Sequence, residues 1–169
     1  MSQKSAQEHC RIGFLTVVET RDRGYVGGLL VTNQLGRPLE FQCTTPVKPN
    51  RTQEILYGPT LRSFIYGELI AATLLERAGI RPDVILVEQS DAMTEQSKER
   101  VPRGIVLGDH DDRNSSAISL GGSRIQFQPG MPPEELQRLQ SAMPEQADLS
   151  EPFERIREAL KETLKTAAA

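Results

Sequence analysis

The sequence contains no tryptophan, 5% aromatic residues, and only two cysteines and two histidines in 169 residues. Each scarcity removes a class of reading. Cys10 and Cys43 show no metal-type spacing, which excludes a disulfide framework or a cysteine-rich zinc site and fits a reducing cytoplasm. The few tyrosines and phenylalanines form no ladder on which single-stranded nucleic acid would stack. Cys43 and His110 have no serine or aspartate partner at a recognisable spacing, so nucleophilic catalysis has no support. No apolar run is long enough to span a membrane, and the first twenty residues, with Lys4, Glu8 and Arg11, hold no signal-peptide-like apolar stretch. A cytoplasmic chain without membrane contact is expected. Neither a GxGxxG nor a Walker pattern is present.

Charge of one sign is also scarce. The net charge of −3 is too small to mark a strongly electrostatic nucleic-acid or membrane binder. Between Arg21 and Arg62, however, Arg21, Arg23, Arg37, Lys48, Arg51 and Arg62 outnumber Asp22, Glu40 and Glu54. That excess reads as solvated surface before it reads as a phosphate-binding face.

What is present is enough apolar sequence for one domain. A chain of this length buries roughly two-thirds of its unfolded surface and needs no covalent staple. Ile12 to Val18 is a short β-rich run closed by the polar cluster Glu19–Gly24, and Tyr25 to Thr32 follows as a second strand. Gly27 and Gly28 mark either a bulge or a close backbone approach within it. Leu39, Phe41 and Cys43 alternate with Glu40, Gln42 and Thr44 over 38–44, predicting a third strand with Cys43 in the core. A proline-punctuated loop then leads to a short helix over 52–57, stopped by Gly58, and to a long helix from Pro59 to Ala78. Val84–Val87 is a continuous apolar run of the kind covered on both faces. Residues 91–101 predict a weak helix, and 104–107 and 124–128 predict two further strands.

Two helices are expected in the C-terminal third, over 132–143 and Glu151–Lys165. The second has Ser150 as N-cap, acids in its first turn, and a Phe153, Ile156, Leu160 and Leu164 seam at helical spacing. That seam either docks on the domain or supplies a protein-partner or homo-oligomer contact. The divisions are a polar segment over 1–11, an α/β core over 12–128 and a helical extension over 129–169.

One carboxylate breaks the pattern. At 100° per residue, Leu61, Phe64, Ile65, Ala72 and Leu75 share a side of the long helix, and Glu68 falls among them. A carboxylate on a core-facing stripe requires a cation, a hydrogen-bond partner, a proton or a metal. Arg37 or Arg124 is the expected internal partner. Glu19 closes the first strand, and Glu88 and Asp91 follow the Val84–Val87 run.

The order of three strands, a helix and a strand resembles that of ribonuclease H. The segments 66–72 and 84–91 resemble that family's helix and fourth-strand segments. The resemblance implies a βββαβ mixed sheet of five or six strands with C-terminal helices. A longin- or roadblock-like α+β fold is the alternative. In that family an acid on strand one, a Glu on the helix and an acid after strand four hold two Mg²⁺ ions. Glu19, Glu68 and Asp91 are the matching catalytic and metal-binding candidates, with Mg²⁺ or Mn²⁺ as cofactor and nucleic acid as partner. This chain departs from the pattern: a Glu replaces the strand-one Asp, and Gln89 occupies the position that best matches the strand-four acid.

The segments 36–41, 44–46 and 53–58 are also similar to a bacterial family of uncharacterised proteins over roughly residues 12–75. That similarity implies a bacterial, cytoplasmic single domain and assigns no catalytic residue. The loop Asp109-His-Asp-Asp112 offers oxygen and imidazole ligands but lacks calcium-loop spacing. The functional expectation is a binding or assembly module without a cofactor, acting through the 45–59 region or the C-terminal seam. Its alternative is a divalent-metal-dependent nuclease or phosphodiesterase.

Overall fold

Strong β-formers on both sides of a charged turn produce the first hairpin. β1 (Arg11–Thr20) and β2 (Gly24–Asn33) pair antiparallel over their whole length, from Arg11 opposite Asn33 to Thr20 opposite Gly24. β3 (Pro38–Cys43) continues the meander, with a register shift between Val31 and Thr32. The computed structural model describes residues 9–93, 101–108 and 116–168. β4 (Val84–Val87) returns parallel to β1, and β5 (Arg103–Val106) lies parallel to β4. β6 (Ile118–Leu120) and β7 (Ser123–Phe127) close the one mixed sheet among the described residues, whose order is β3-β2-β1-β4-β5-β7-β6.

The first five strands thus have the ribonuclease-H-like arrangement expected. The sheet has seven strands rather than five or six. The addition is β6, whose three residues are too few for alternation to register. The weak helix expected over 91–101 lies mostly outside the described residues, as does the Asp109–Asp112 loop. Its first residues form a 3₁₀ turn, Ser90–Ala92.

Alternation along the strands builds two cores. Leu15, Val17, Leu29, Val31, Ile85 and Val87 face one helical layer, and Ile12, Phe14, Leu30, Val84 and Leu86 face the other. The first layer begins with α1 (Arg51–Tyr57), where Asn50 and Gln53 form a reciprocal capping box. Gly58–Thr60 is a 3₁₀ turn leading into α2, which spans 61–77. Inside α2, Phe64–Ala71 is π-helical, its carbonyls reached from five residues on, as in Ala72 N–H to Gly67 C=O.

The second layer consists of α3 (Pro133–Ala142) and α4 (Glu151–Ala168). Phe153, Ile156 and Leu160 are buried against the sheet, with the Phe153 ring edge-on to Phe14 at 5.5 Å and 86°. The C-terminal seam is therefore occupied by the chain's own sheet.

β3 departs from its expected burial. Leu39 is 44% exposed, Phe41 37% exposed and Cys43 only partly buried, because β3 is the last strand at its end of the sheet. Glu40, on the opposite face, accepts backbone N–H bonds from Gly79 at 2.8 Å and Ile80 at 2.7 Å. These bonds, with Gln42, hold its carboxyl below the usual carboxylate range.

Candidate functional site

The carboxyl ends of the parallel strands β1 and β4 are where open α/β sheets place their ligands, and two of the three candidate acids lie there. Glu19 stands opposite Tyr25 in the first hairpin and hydrogen-bonds its phenol. The Tyr25 ring meets Tyr66 of α2 at 5.6 Å, and the Arg62 guanidinium sits 4.6 Å above the Tyr66 ring. Arg62 Nε donates to Asp91 Oδ2 at 2.8 Å. Burial first, and then Glu19, push the Tyr25 phenol above its ordinary value, and burial does the same to Tyr66 against the opposing Arg62 cation. They remain protonated donors at neutral pH. Tyr66 first, and then the hydrogen bond to Asp91, hold the Arg62 guanidinium above its ordinary value, so Arg62 stays cationic.

Glu68 is placed differently from the expectation. It is exposed and makes no hydrogen bond or ion pair among the described residues, with neither Arg37 nor Arg124 beside it. The cause is the π segment. Its slower winding carries Ile65, Tyr66, Ile70, Ala71 and Leu74 inward, a step of four to five residues rather than 3.6. Tyr66 is consequently buried, and Glu68 turns to solvent.

Among the described residues, no three His, Cys, Asp or Glu side chains lie close enough together to hold a metal ion. Glu19, Glu68 and Asp91 therefore do not come together as one three-acid cluster in this structure. The donor chemistry around them explains why. Asp91 is neutralised by Arg62, Glu19 is bonded to a phenol, and Glu68 faces away.

A second polar cluster lies deeper between the same two strands. Thr16, fully buried on β1, donates to Glu88 Oε2 at 2.6 Å. Arg157 of α4 reaches the same carboxylate with Nη1 at 2.8 and 2.6 Å from its two oxygens. Gln89 imitates a peptide group: Val17 N–H donates to its Oε1 at 3.3 Å, while its Nε2 donates to Val17 C=O at 3.1 Å and to Thr16 Oγ1 at 3.1 Å. The β1–β4 ladder is prolonged by one side chain past Val87.

A carboxylate cannot make that pattern, because it has no N–H to offer Val17 C=O. Gln89→Glu, identical in size, leaves this carbonyl facing an anion and loses about 1–3 kcal/mol at neutral pH. The loss shrinks as falling pH protonates the new carboxyl and restores a donor. Urea titrations of both proteins at neutral and acidic pH measure it, and an equal loss at both pH values would refute the amide requirement.

Sequence reasoning found Glu19, Asp91 and the mismatch at Gln89, but it missed Thr16, Tyr25, Tyr66 and Arg157 as members of this region. Arg157 follows Ile156 of the seam by one residue, which is the only local sign that it flanks the sheet. A separate cleft of about 540 Å³ opens near the amino end of β1, lined by Ile12, Leu35, Pro144, Leu149, Pro152 and Arg155. None of the candidate acids lines it.

No family model and no curated protein matches this chain. Among solved structures, 92% of the chain aligns with 87% of a Ciona intestinalis endonuclease V variant. That protein was crystallised with a 23mer DNA containing an inosine followed by a ribo-adenosine; identity is 10% and the TM-score is 0.38. None of the described helices is long and apolar enough to cross a membrane.

Proposed function

We propose that this chain is a cytoplasmic binding or assembly module on a ribonuclease-H-like sheet, presenting α1 to a protein partner. One observation carries the reading: no residue of α1 is buried, and Ile55 and Leu56 are 64% and 78% exposed. Large aliphatic side chains on a helix gain nothing from water, and their exposure marks an interaction surface when the helix is held firmly. Here it is held at both ends, by the Asn50–Gln53 capping box and by Tyr57, whose ring stacks on Phe64 at 4.4 Å. The internal ties of Glu88 and Asp91 support the same reading, since charges paired with Arg157 and Arg62 stabilise a scaffold.

A photo-crosslinking residue placed at position 56, and another at position 161 on the exposed side of α4, test it in the cell of origin. Position 56 is expected to give a discrete protein adduct that position 161 does not. Indistinguishable adduct patterns from the two positions would overturn it.

The alternative is metal-dependent cleavage of nucleic acid by Glu19, Glu68 and Asp91, for which the shared end of β1 and β4 is the supporting observation. It requires Mg²⁺ or Mn²⁺ to raise the melting temperature, because a ligand of the native state must stabilise it. For the binding module the melting temperature is unchanged by Mn²⁺, and Glu68→Leu melts close to wild type because residue 68 lies in solvent. A Mn²⁺-dependent rise abolished by Glu68→Leu would establish the metal site instead.

A further inference from the structure

Among the described residues β3 is an open edge, and its outward backbone groups can be assigned. In an antiparallel pair, the N–H and C=O of one residue point to the same side and alternate along the strand. Tyr25 exchanges both backbone bonds with Val47, and Gly27 C=O accepts from Thr44 N–H. The odd-numbered residues of β2 therefore point toward β3. Leu29 and Val31 stand opposite Gln42 and Glu40, so those two residues of β3 point inward. Phe41 and Cys43 must present their N–H and C=O to the outside.

The devices that usually blunt such an edge are nearly missing from it. Pro38 and the register shift at Val31/Thr32 protect only its beginning. From Leu39 to Cys43 there is no lysine, arginine or proline. The single charge, Glu40, is bonded on the helix-facing side to Gly79 and Ile80 and does not guard the edge. Leu39 and Phe41 stand 44% and 37% exposed on the other side.

We infer that β3 pairs with β3 of a second copy of this chain, antiparallel about a two-fold axis at Phe41, joining two sheets into one. The strand is its own complement in that register. Phe41 exchanges both backbone bonds with its equivalent, and Leu39 stands opposite Cys43 of the second copy, apolar against apolar. Glu40 stands opposite Gln42, so no like charges meet across the pair. A register shifted by two residues places Glu40 against Glu40 or Gln42 against Gln42, and one shifted by four places Leu39 against Leu39 or Cys43 against Cys43 and runs one end past the strand. An isologous interface of this kind closes on itself and stops at the dimer. It uses none of α1, so Ile55→Glu with Leu56→Glu leaves it intact.

Sedimentation velocity of the full chain, from micromolar to near-millimolar concentration, is combined with residue-resolved amide hydrogen exchange at the same concentrations. The expected result is a concentration-dependent dimer in which the Phe41 amide is protected on the order of tenfold or more, with protection lost on dilution. Phe41→Lys is expected to be monomeric throughout with an unchanged far-UV spectrum. A chain monomeric at every concentration overturns the inference. So does a dimer whose Phe41 amide exchanges at the unprotected rate, or one that survives Phe41→Lys with the fold intact. If Phe41→Lys fails to fold, exchange at the wild-type amide decides alone.

Discussion

Phe153→Ala is expected to lower the unfolding free energy by about 3–5 kcal/mol, the range for a large aromatic removed from a rigid core. The side chain is fully buried, and its edge-to-face contact with Phe14 is lost along with its apolar area. Such aromatic pairs contribute about 0.5–1.5 kcal/mol beyond area alone. Ile156 and Leu160 lie on the same face and cannot fill the space, because Ile156 already sits where a side chain on Gly28 would be. Lys161→Ala, on the exposed side of the same helix, should stay within about 0.5 kcal/mol of wild type. Urea titrations of both variants make the comparison. The outcome separates two roles for Glu151–Lys165: a structural layer gives the large loss, whereas a seam reserved for a partner gives a small one with an unchanged sheet. The burial of Phe153, Ile156 and Leu160 favours the first.

The same helix shows how far sequence alone reached. Its start at Glu151 and its seam were legible because charge placement and apolar spacing indicate one element, although the Ser150 hydroxyl, expected as the cap, donates to Asp148 Oδ1 instead. β1 to β4 were legible for a similar reason: their residues are strong strand formers with turn residues between. The two glycines of β2 were also legible as a close approach. An ideal Cβ on Gly28 would lie 2.5 Å from Ile156 Cγ2 of α4, and one on Gly27 would lie 2.0 Å from Ile70 Cγ2 of α2. Adjacent glycines on opposite faces thus admit a helix from each layer.

The candidate site was less legible. Glu19 and Asp91 were located by their places at strand ends, which follow from topology. Glu68 was misplaced because a wheel drawn at 3.6 residues per turn has no way to represent i to i+5 bonding. Nothing in Phe64–Ala71 is a known signal for π winding: apart from Glu68 the segment carries no charged residue to set its phase. Gln89 was legible as a mismatch to an acid, but its reason, a side-chain amide continuing a backbone ladder, depends on Val17 being 72 residues away in sequence. Arg157 pairs with Glu88 across 69 residues, and no local pattern encodes that distance.

Gly27→Ala is the change that tests why α2 winds as it does. The backbone of Gly27 is ordinary extended strand, its φ outside the range that favours glycine, so alanine meets no conformational penalty there. Strand propensity even favours the substitution slightly. All of the expected loss, about 1–3 kcal/mol, comes from packing, because the new methyl occupies the position of Ile70 Cγ2 and crowds Leu74 Cδ1 at 3.1 Å. Ile70→Ala alone costs about 2–5 kcal/mol by opening a cavity. In the double variant the added methyl enters that cavity, so the combined loss should be smaller than the two single losses together by about 1 kcal/mol or more. A urea-derived double-mutant cycle measures this coupling. Strict additivity would mean that Ile70 does not rest on Gly27. The contact has a place in the fold beyond stability: Ile70 rests on Gly27 within the π segment that also carries Tyr66 and Ala71 inward and Glu68 to solvent. A glycine on β2 thus lies beneath the π segment whose winding turns Glu68 to solvent.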